Sequence, residues 1–415
     1  MSSRSPSQKH STAAAPQRRL AVEAWPKLVA AVYSAHLTYG TGTPMTLSRR
    51  DVLTASALLL AGPAAAARLA ARESGGAKPL VLCWNENPYG PSPAARRVVS
   101  ELIPSGCRYP SDQAIAALVA AIAAHESIGA DHIITGTGSG ELLRALGLLY
   151  GRDGGEIVAA QPSYTELTSY AGHRGARLKF VPLDLSMRHD LPAMRSAVSP
   201  ATRAVYLCNP NNPTGTALTA AEIRAFVAGL PSGVLTIVDE AYMDFTTAPG
   251  VGSVADLVKS GSGVVVLRTF SKIHGMAGLR CGYAIASPEV IKAVDAAVMT
   301  TPNIFAVHAA RASLGDGAFR AECRRRIVGS RTRITTVLSE LKLRYAEPQG
   351  NFVFFDTGMP LPRFTELMRA RDILVGRHFP PFDSWCRITV GTEPEVAAFL
   401  AALRAVLPTA RQSSA

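Results

Sequence analysis

The run Leu267-Arg268-Thr269-Phe270-Ser271-Lys272-Ile273-His274-Gly275-Met276-Ala277-Gly278-Leu279-Arg280 sets one amine, Lys272, among hydroxyls, glycines and a second cation. It follows directly on the apolar Val264-Val265-Val266. An amine can capture a carbonyl group, while hydroxyls, backbone N–H groups and a guanidinium can cradle a phosphate. Those two capacities together are what pyridoxal phosphate chemistry requires of a protein. It also requires a partner for the pyridine nitrogen, a group against the ring face and a clamp for a substrate carboxylate.

Residues of each type follow short apolar runs elsewhere in the chain. Asp239, after Val234–Val238, is the partner for the pyridine nitrogen, because a carboxylate there keeps the ring protonated and electron-accepting. Tyr242, three residues on, and Asn212, in Asn209-Pro210-Asn211-Asn212-Pro213-Thr214-Gly215, can donate to a phenolic oxygen. Gly136-Thr137-Gly138-Ser139-Gly140-Glu141 opens a helix after a strand, so backbone N–H groups at Gly138, Ser139 and Gly140 meet an anion, helped by the Ser139 hydroxyl. Ser271 and the fixed cation Arg280 form the other half of that cradle. Tyr164, in Gln161-Pro162-Ser163-Tyr164, can lie on the ring. Arg387, inside the β-rich Arg387-Ile388-Thr389-Val390, is the carboxylate clamp, since a guanidinium matches a carboxylate in bidentate fashion and is costly to bury without a partner. Lys272 would then serve twice, first as imine former and then, once displaced by substrate, as a proton shuttle.

These residues must be positioned by something regular. After residue 110, short β-rich runs alternate with Ala/Leu-rich helical stretches, which predicts an α/β fold with a mainly parallel sheet covered by helices on both faces. Ligands of such sheets gather at the carboxyl ends of the strands, and each polar cluster named above follows such an end. A smaller α+β domain is expected over 301–410, with a basic helix near Ala318–Lys342 and strands at Phe352–Phe355 and Arg387–Val390. The segment 74–108 reads as an N-terminal arm and part of that smaller domain, 109–300 as the large cofactor-binding domain, and 411–415 as a tail.

Length and composition fit this picture. A chain of 415 residues, 47% hydrophobic and 18% charged, can bury two substantial cores. The net charge of +12 is concentrated at the front, where residues 1–72 carry nine Lys/Arg against two Asp/Glu. The mildly basic remainder has no basic stripe or aromatic-interleaved patch, which argues against nucleic acid as a partner. The six cysteines show neither C-x-x-C pairing nor metal-ligand spacing.

Residues 1–44 read as a disordered leader and 45–73 as an export signal. The signal has Arg49-Arg50, the short apolar run Ala55–Ala61 and small residues suited to cleavage, too short a run for a stable membrane span. It resembles a twin-arginine signal with Met45 as a natural start and predicts an exported, periplasmic protein. The other reading is a chance Arg-Arg before an alanine-rich helix in a cytoplasmic one.

The motifs together resemble the fold type I pyridoxal 5'-phosphate-dependent aminotransferases of class I/II, most closely the histidinol-phosphate aminotransferase group. The resemblance runs over residues 78–408. It includes Asn85-Glu86-Asn87-Pro88-Tyr89-Gly90-Pro91, the family's substrate-facing arm, and Arg108-Tyr109-Pro110. It implies that Lys272 is the Schiff-base lysine and that Asn87 and Tyr89 bind substrate. It further implies that Tyr109 reaches the neighbouring subunit's cofactor phosphate, that the working unit is a homodimer with shared active sites, and that a small-molecule amino donor and a 2-oxo acid exchange an amino group. Two departures stand out. Gly140 replaces the family's usual acidic residue, and the arginine after the apolar run Leu374-Val375 is displaced by one position, to Arg377. In an extended segment that displacement reverses side-chain direction, so Arg377 either reaches a distal anion through a bulge or is structural. The same scaffold could also run decarboxylation or β-elimination; a non-enzymatic role fits poorly with so complete a set of residues.

Overall fold

The computed structural model describes residues 78–412. The expected leader (1–44) and signal region (45–73) lie outside the described residues. The described chain opens with β1 (Leu80–Val81). Seven strands then form the main sheet: β2 (Ile133–Gly136), β3 (Glu156–Gln161), β4 (Arg177–Pro182), β5 (Thr202–Cys208), β6 (Leu235–Asp239), β7 (Val264–Thr269) and β8 (Gly282–Ile285). Beyond the helix Gly317–Glu340 come β9 (Phe352–Asp356), β10 (Ile373–Leu374) and β11 (Trp385–Thr389).

The main sheet has the order β2-β8-β7-β6-β5-β3-β4. Its pairs are parallel from β4 to β7, and only β8 runs against its neighbours. Parallel strands covered on both faces carry apolar residues at every position, because successive side chains point to opposite sides. Val158, Val205, Leu207, Val238 and Val266 accordingly enter one core, while Ile157, Ala204, Tyr206, Ile237 and Val265 enter a second across the sheet.

A third core forms around β9 and β11, which pair antiparallel with Arg387 opposite Phe354. Alternation along β11 sends Cys386 and Ile388 into this core and leaves Arg387 on the opposite face. The short pair β1–β10 joins the front of the described chain to the same unit, and Leu82 packs in its core. The helix Pro93–Leu102, by contrast, packs on Ile304–Gly315, and both contribute to the first core. The change from one core to the other falls near residue 316.

Candidate active site

A cavity of about 360 Å³ opens where the carboxyl ends of β2, β3, β5, β6 and β7 meet the face of β11 that carries Arg387. Ser139, Gly140, Tyr164, Asn212, Asp239, Tyr242, Ser271, Lys272, Arg280, Arg377 and Arg387 all line it. Because the contributing strands share one direction, their polar ends emerge on one side, and residues far apart in sequence converge.

Lys272 Nζ donates to the carbonyl oxygens of Asn85 (3.0 Å) and Trp84 (3.3 Å) and lies 5.5 Å from the centre of the Tyr242 ring. Burial, followed by the charge of Arg387, lowers the ammonium to a pKa of about 8. A useful fraction is thus the neutral, nucleophilic amine near neutral pH. Asp239 is buried at the end of β6, where the Ala241 amide (3.1 Å) and the Tyr206 hydroxyl (3.3 Å) donate to its two oxygens. Burial raises its pKa to about 6, and the Lys272 charge offsets part of that rise. A buried carboxylate with room for a third donor suits a protonated ring nitrogen.

The Tyr242 oxygen accepts from the side-chain amides of Asn85 (3.1 Å) and Asn212 (3.4 Å). With both donors on its lone pairs, its own O–H proton is free to point toward a ligand. Arg387 donates to Asn212 Oδ1 and, at 2.7 Å, to the Cys83 carbonyl; its buried Nε has no partner among the described residues. Burial lowers the pKa of this guanidinium from its ordinary value, so an anion at the site would restore favourable solvation.

The residues expected to cradle a phosphate approach one another closely. Gly138 has φ +81°, and a Cβ there would overlap the guanidinium of Arg280. Arg280, itself at φ +62°, donates to Ala277 O (3.0 Å) and Ser271 Oγ (3.4 Å). Gly138 caps the helix Ser139–Gly151 without a side-chain bond, leaving first-turn N–H groups for an anion. Glu141 braces this turn by accepting from Thr137 N (2.6 Å) and from Met299 and Thr300 N. Hydroxyls, free N–H groups and a fixed cation on one wall of the cavity fit a phosphate. The acid expected at 140 is not lost from the neighbourhood: Glu166, paired with Arg144, comes beside Gly140 from the next helix and lines the cavity.

Arg377 also reaches the cavity, the first of the two alternatives that the sequence left open. Strand β10 ends at Leu374, so two-residue alternation does not extend to 377. Gly376 instead packs on the Arg387 backbone, and Arg377 stacks on Phe379 with its guanidinium carbon 4.3 Å from the ring centre.

Three residues that the resemblance marks lie outside this cavity. Asn87 donates to Ile273 O (2.9 Å) and accepts from Tyr89 N, so its amide holds the arm against the lysine loop. Tyr89 lies under Arg326, 5.3 Å from its guanidinium carbon. Tyr109 is 94% exposed. Within one chain the arm residues that enter the site are Trp84 and Asn85; Asn85, at φ +55°, meets Tyr242 with its amide and Lys272 with its carbonyl. The Asn-Glu-Asn motif signalled the arm, but not which asparagine turns inward. Trp84, Glu166, Tyr206 and Phe379 carried no local signal.

Fold and cavity together define a fold type I pyridoxal phosphate enzyme. Residues 77–403 match the family described as aminotransferase class I and II. The chain is 36% identical over 341 residues to the histidinol-phosphate aminotransferase of Moorella thermoacetica, covering 81% of this chain and 87% of that one. It is also 36% identical over 321 residues to the aromatic amino acid aminotransferase of Rhodococcus jostii, covering 77% and 88%. The crystal structure of histidinol-phosphate aminotransferase from Sinorhizobium meliloti in complex with pyridoxal-5'-phosphate matches with a TM-score of 0.75 at 28% identity, over 81% of this chain and 93% of that one. The chain belongs to the class I and II aminotransferases, and is a pyridoxal phosphate-dependent aminotransferase of the histidinol-phosphate aminotransferase-like kind.

Proposed function

We propose that Lys272 shuttles the proton at a bound amino donor's Cα, that Arg387 clamps the donor's α-carboxylate, and that Arg377 meets the distal part of its side chain. The observation that carries this is the convergence of Lys272 Nζ, the Asp239 carboxylate and the guanidiniums of Arg280, Arg377 and Arg387 on one cavity. Pyridoxal phosphate, when bound, supplies a carbonyl for the amine and a sink for the electrons of the broken Cα–H bond. Ser139, Ser271, Arg280 and the N–H groups after Gly138 hold its phosphate, and Tyr164 covers its ring. Asp239 holds a proton at the ring nitrogen, and Tyr242 and Asn212 donate to the phenolic oxygen. Lys272, with its lowered pKa, would take the proton from Cα and deliver it to the carbon on the far side of the amino nitrogen, two bonds away. A 2-oxo acid then takes up the amino group on the reverse path.

The relatives named for histidinol phosphate and for aromatic amino acids support a donor with a ring in its side chain. The working unit in this reading is a homodimer, which the 94% exposed Tyr109 and 69% exposed Trp84 support. Export by the twin-arginine segment rests on its sequence, and the N-terminal residue of the mature protein in fractionated cells tests it. For the chemistry, the protein is treated with pyridoxal phosphate and borohydride, then digested. The peptide carrying Lys272 should gain one pyridoxyl group, and Lys272→Ala should lose both that label and amino transfer. Transfer that survives in the Lys272→Ala protein would exclude the assignment.

A further inference from the structure

A second cavity, of about 430 Å³, shares Ser163, Tyr164, Arg377 and Phe379 with the first. It runs outward from that shared wall between the helix Glu166–His173, the edge strand β4 and Pro380. Leu178 and Phe180, two apart on β4, point to the same face and line it. Val181, of opposite parity, enters the main core. Phe180 remains 45% exposed, a phenyl ring on an edge strand with no core to enter. Gly172 and Ser169 supply the helix side; a Cβ at Gly172 would press on Leu178, so glycine keeps this side low.

The first cavity must hold the cofactor and the amino-acid head of the donor. A long side chain with its α-carboxylate on Arg387 therefore has to leave the cavity, and the shared wall leads into the second one. The exit passes the guanidinium of Arg377, whose carbon lies 4.3 Å from the centre of the Phe379 ring, and an aryl group can stack on a guanidinium plane or on Phe379 itself. Beyond it the lining is mainly apolar, from Pro162, Leu178, Phe180 and Pro380.

We infer that this slot is the side-chain subsite of the enzyme and that it selects amino donors ending in an apolar ring held beyond Arg377. The inference rests on the proposed placement of the α-carboxylate at Arg387. Ser169, Phe180 and Phe379 are then the residues that set specificity, and the preferred ring stands farther from Cα than the single methylene of phenylalanine places it.

The test uses the holoenzyme and a series of α-amino acids bearing a terminal phenyl group: phenylalanine, homophenylalanine and 2-amino-5-phenylpentanoate, beside alanine, glutamate and histidinol phosphate. Conversion of bound cofactor to its amine form is followed by absorbance. Homophenylalanine or its longer homologue should exceed alanine in kcat/KM by at least about tenfold, the scale set by an added apolar group in a fitted pocket. Ser169→Phe, which fills the slot from an exposed helix position, should cut that ratio at least about fivefold, mostly through KM. Phe180→Ala should lower it in the same direction. The slot is excluded if conversion falls steadily as the chain lengthens, if histidinol phosphate outruns every phenyl donor, or if both variants leave the ratio unmoved. Absence of conversion with every donor, alanine and glutamate included, while Lys272 still takes the pyridoxyl label, would overturn the proposed catalytic reading and this inference with it.

Discussion

The backbone amide of Gly376 donates to the carbonyl oxygen of Arg387 across 2.9 Å, and a Cβ at residue 376 would overlap that oxygen. This contact sits one residue before the displaced arginine, Arg377. A Cβ at 376 would force the backbone to shift, and Arg377, one residue on, reaches the cavity from irregular chain. The two guanidiniums then lie against one ring, Arg377 at 4.3 Å and Arg387 at 5.1 Å from the centre of Phe379.

Gly376→Ala should therefore loosen Arg387 rather than merely fill space. Forcing backbone apart in a packed region costs about 1–3 kcal/mol. Thermal unfolding should show that loss, and steady-state kinetics should show a rise in donor KM larger than the fall in kcat.

Asp239→Asn should stabilise the apoprotein while impairing the enzyme. The folded pKa of Asp239 is raised to about 6, so its contribution is full below the ordinary aspartate range and is lost as pH rises through about 6. An amide still accepts from Ala241 N through its oxygen and can donate its NH2 to the Tyr206 oxygen, without the buried charge. The variant should melt above the parent at pH 7–8 by up to roughly 2 kcal/mol, with the gap closing toward pH 4. Turnover should fall by about 10²-fold or more, because a charge-assisted bond to the ring nitrogen is gone. Paired melts across pH and single-turnover rates check both halves.

Lys272 titrates the other way. Its pKa is lowered to about 8, so the apoprotein gains stability as pH rises through that value, and capture of pyridoxal phosphate should accelerate to about pH 8 and then level off. Arg387 contributes to the lowering, so Arg387→Gln should move the midpoint upward. Stopped-flow absorbance of apoprotein mixed with cofactor measures it; a midpoint that stays put would exclude charge coupling between the two.

Gly138→Ala brings a side chain onto Arg280 at a backbone angle few L-residues adopt. Cofactor affinity should fall at least about tenfold, a loss of one charge-assisted bond, while the fold survives. Equilibrium dialysis with pyridoxal phosphate reads the Kd directly.

Much of the site was legible because strand-to-loop junctions announce themselves. Apolar runs end abruptly in Asp239, Asn212, Gly138 and Ser271-Lys272, and a parallel sheet obliges those ends to share a side. What was not legible depends on contacts between distant segments. Asn85 and Asn87 are alike in sequence, yet only Asn85 turns its amide to Tyr242 while Asn87 is held by Ile273. The helix Ile304–Gly315 is ordinary in composition, and only its packing on Pro93–Leu102 assigns it to the first core.

By itself the sequence determined the chemistry: which residue types are present, at which strand ends, and hence an amine, a phosphate cradle, a carboxylate and a guanidinium for one cofactor. These follow from local rules of hydrophobic periodicity and chain direction. The tertiary structure alone decided how the cations are shared and where a side chain can leave the site. Both depend on which backbone lies against which, as Gly376 does against Arg387 and Gly138 against Arg280, and such close approaches are set by packing between segments that no local pattern encodes.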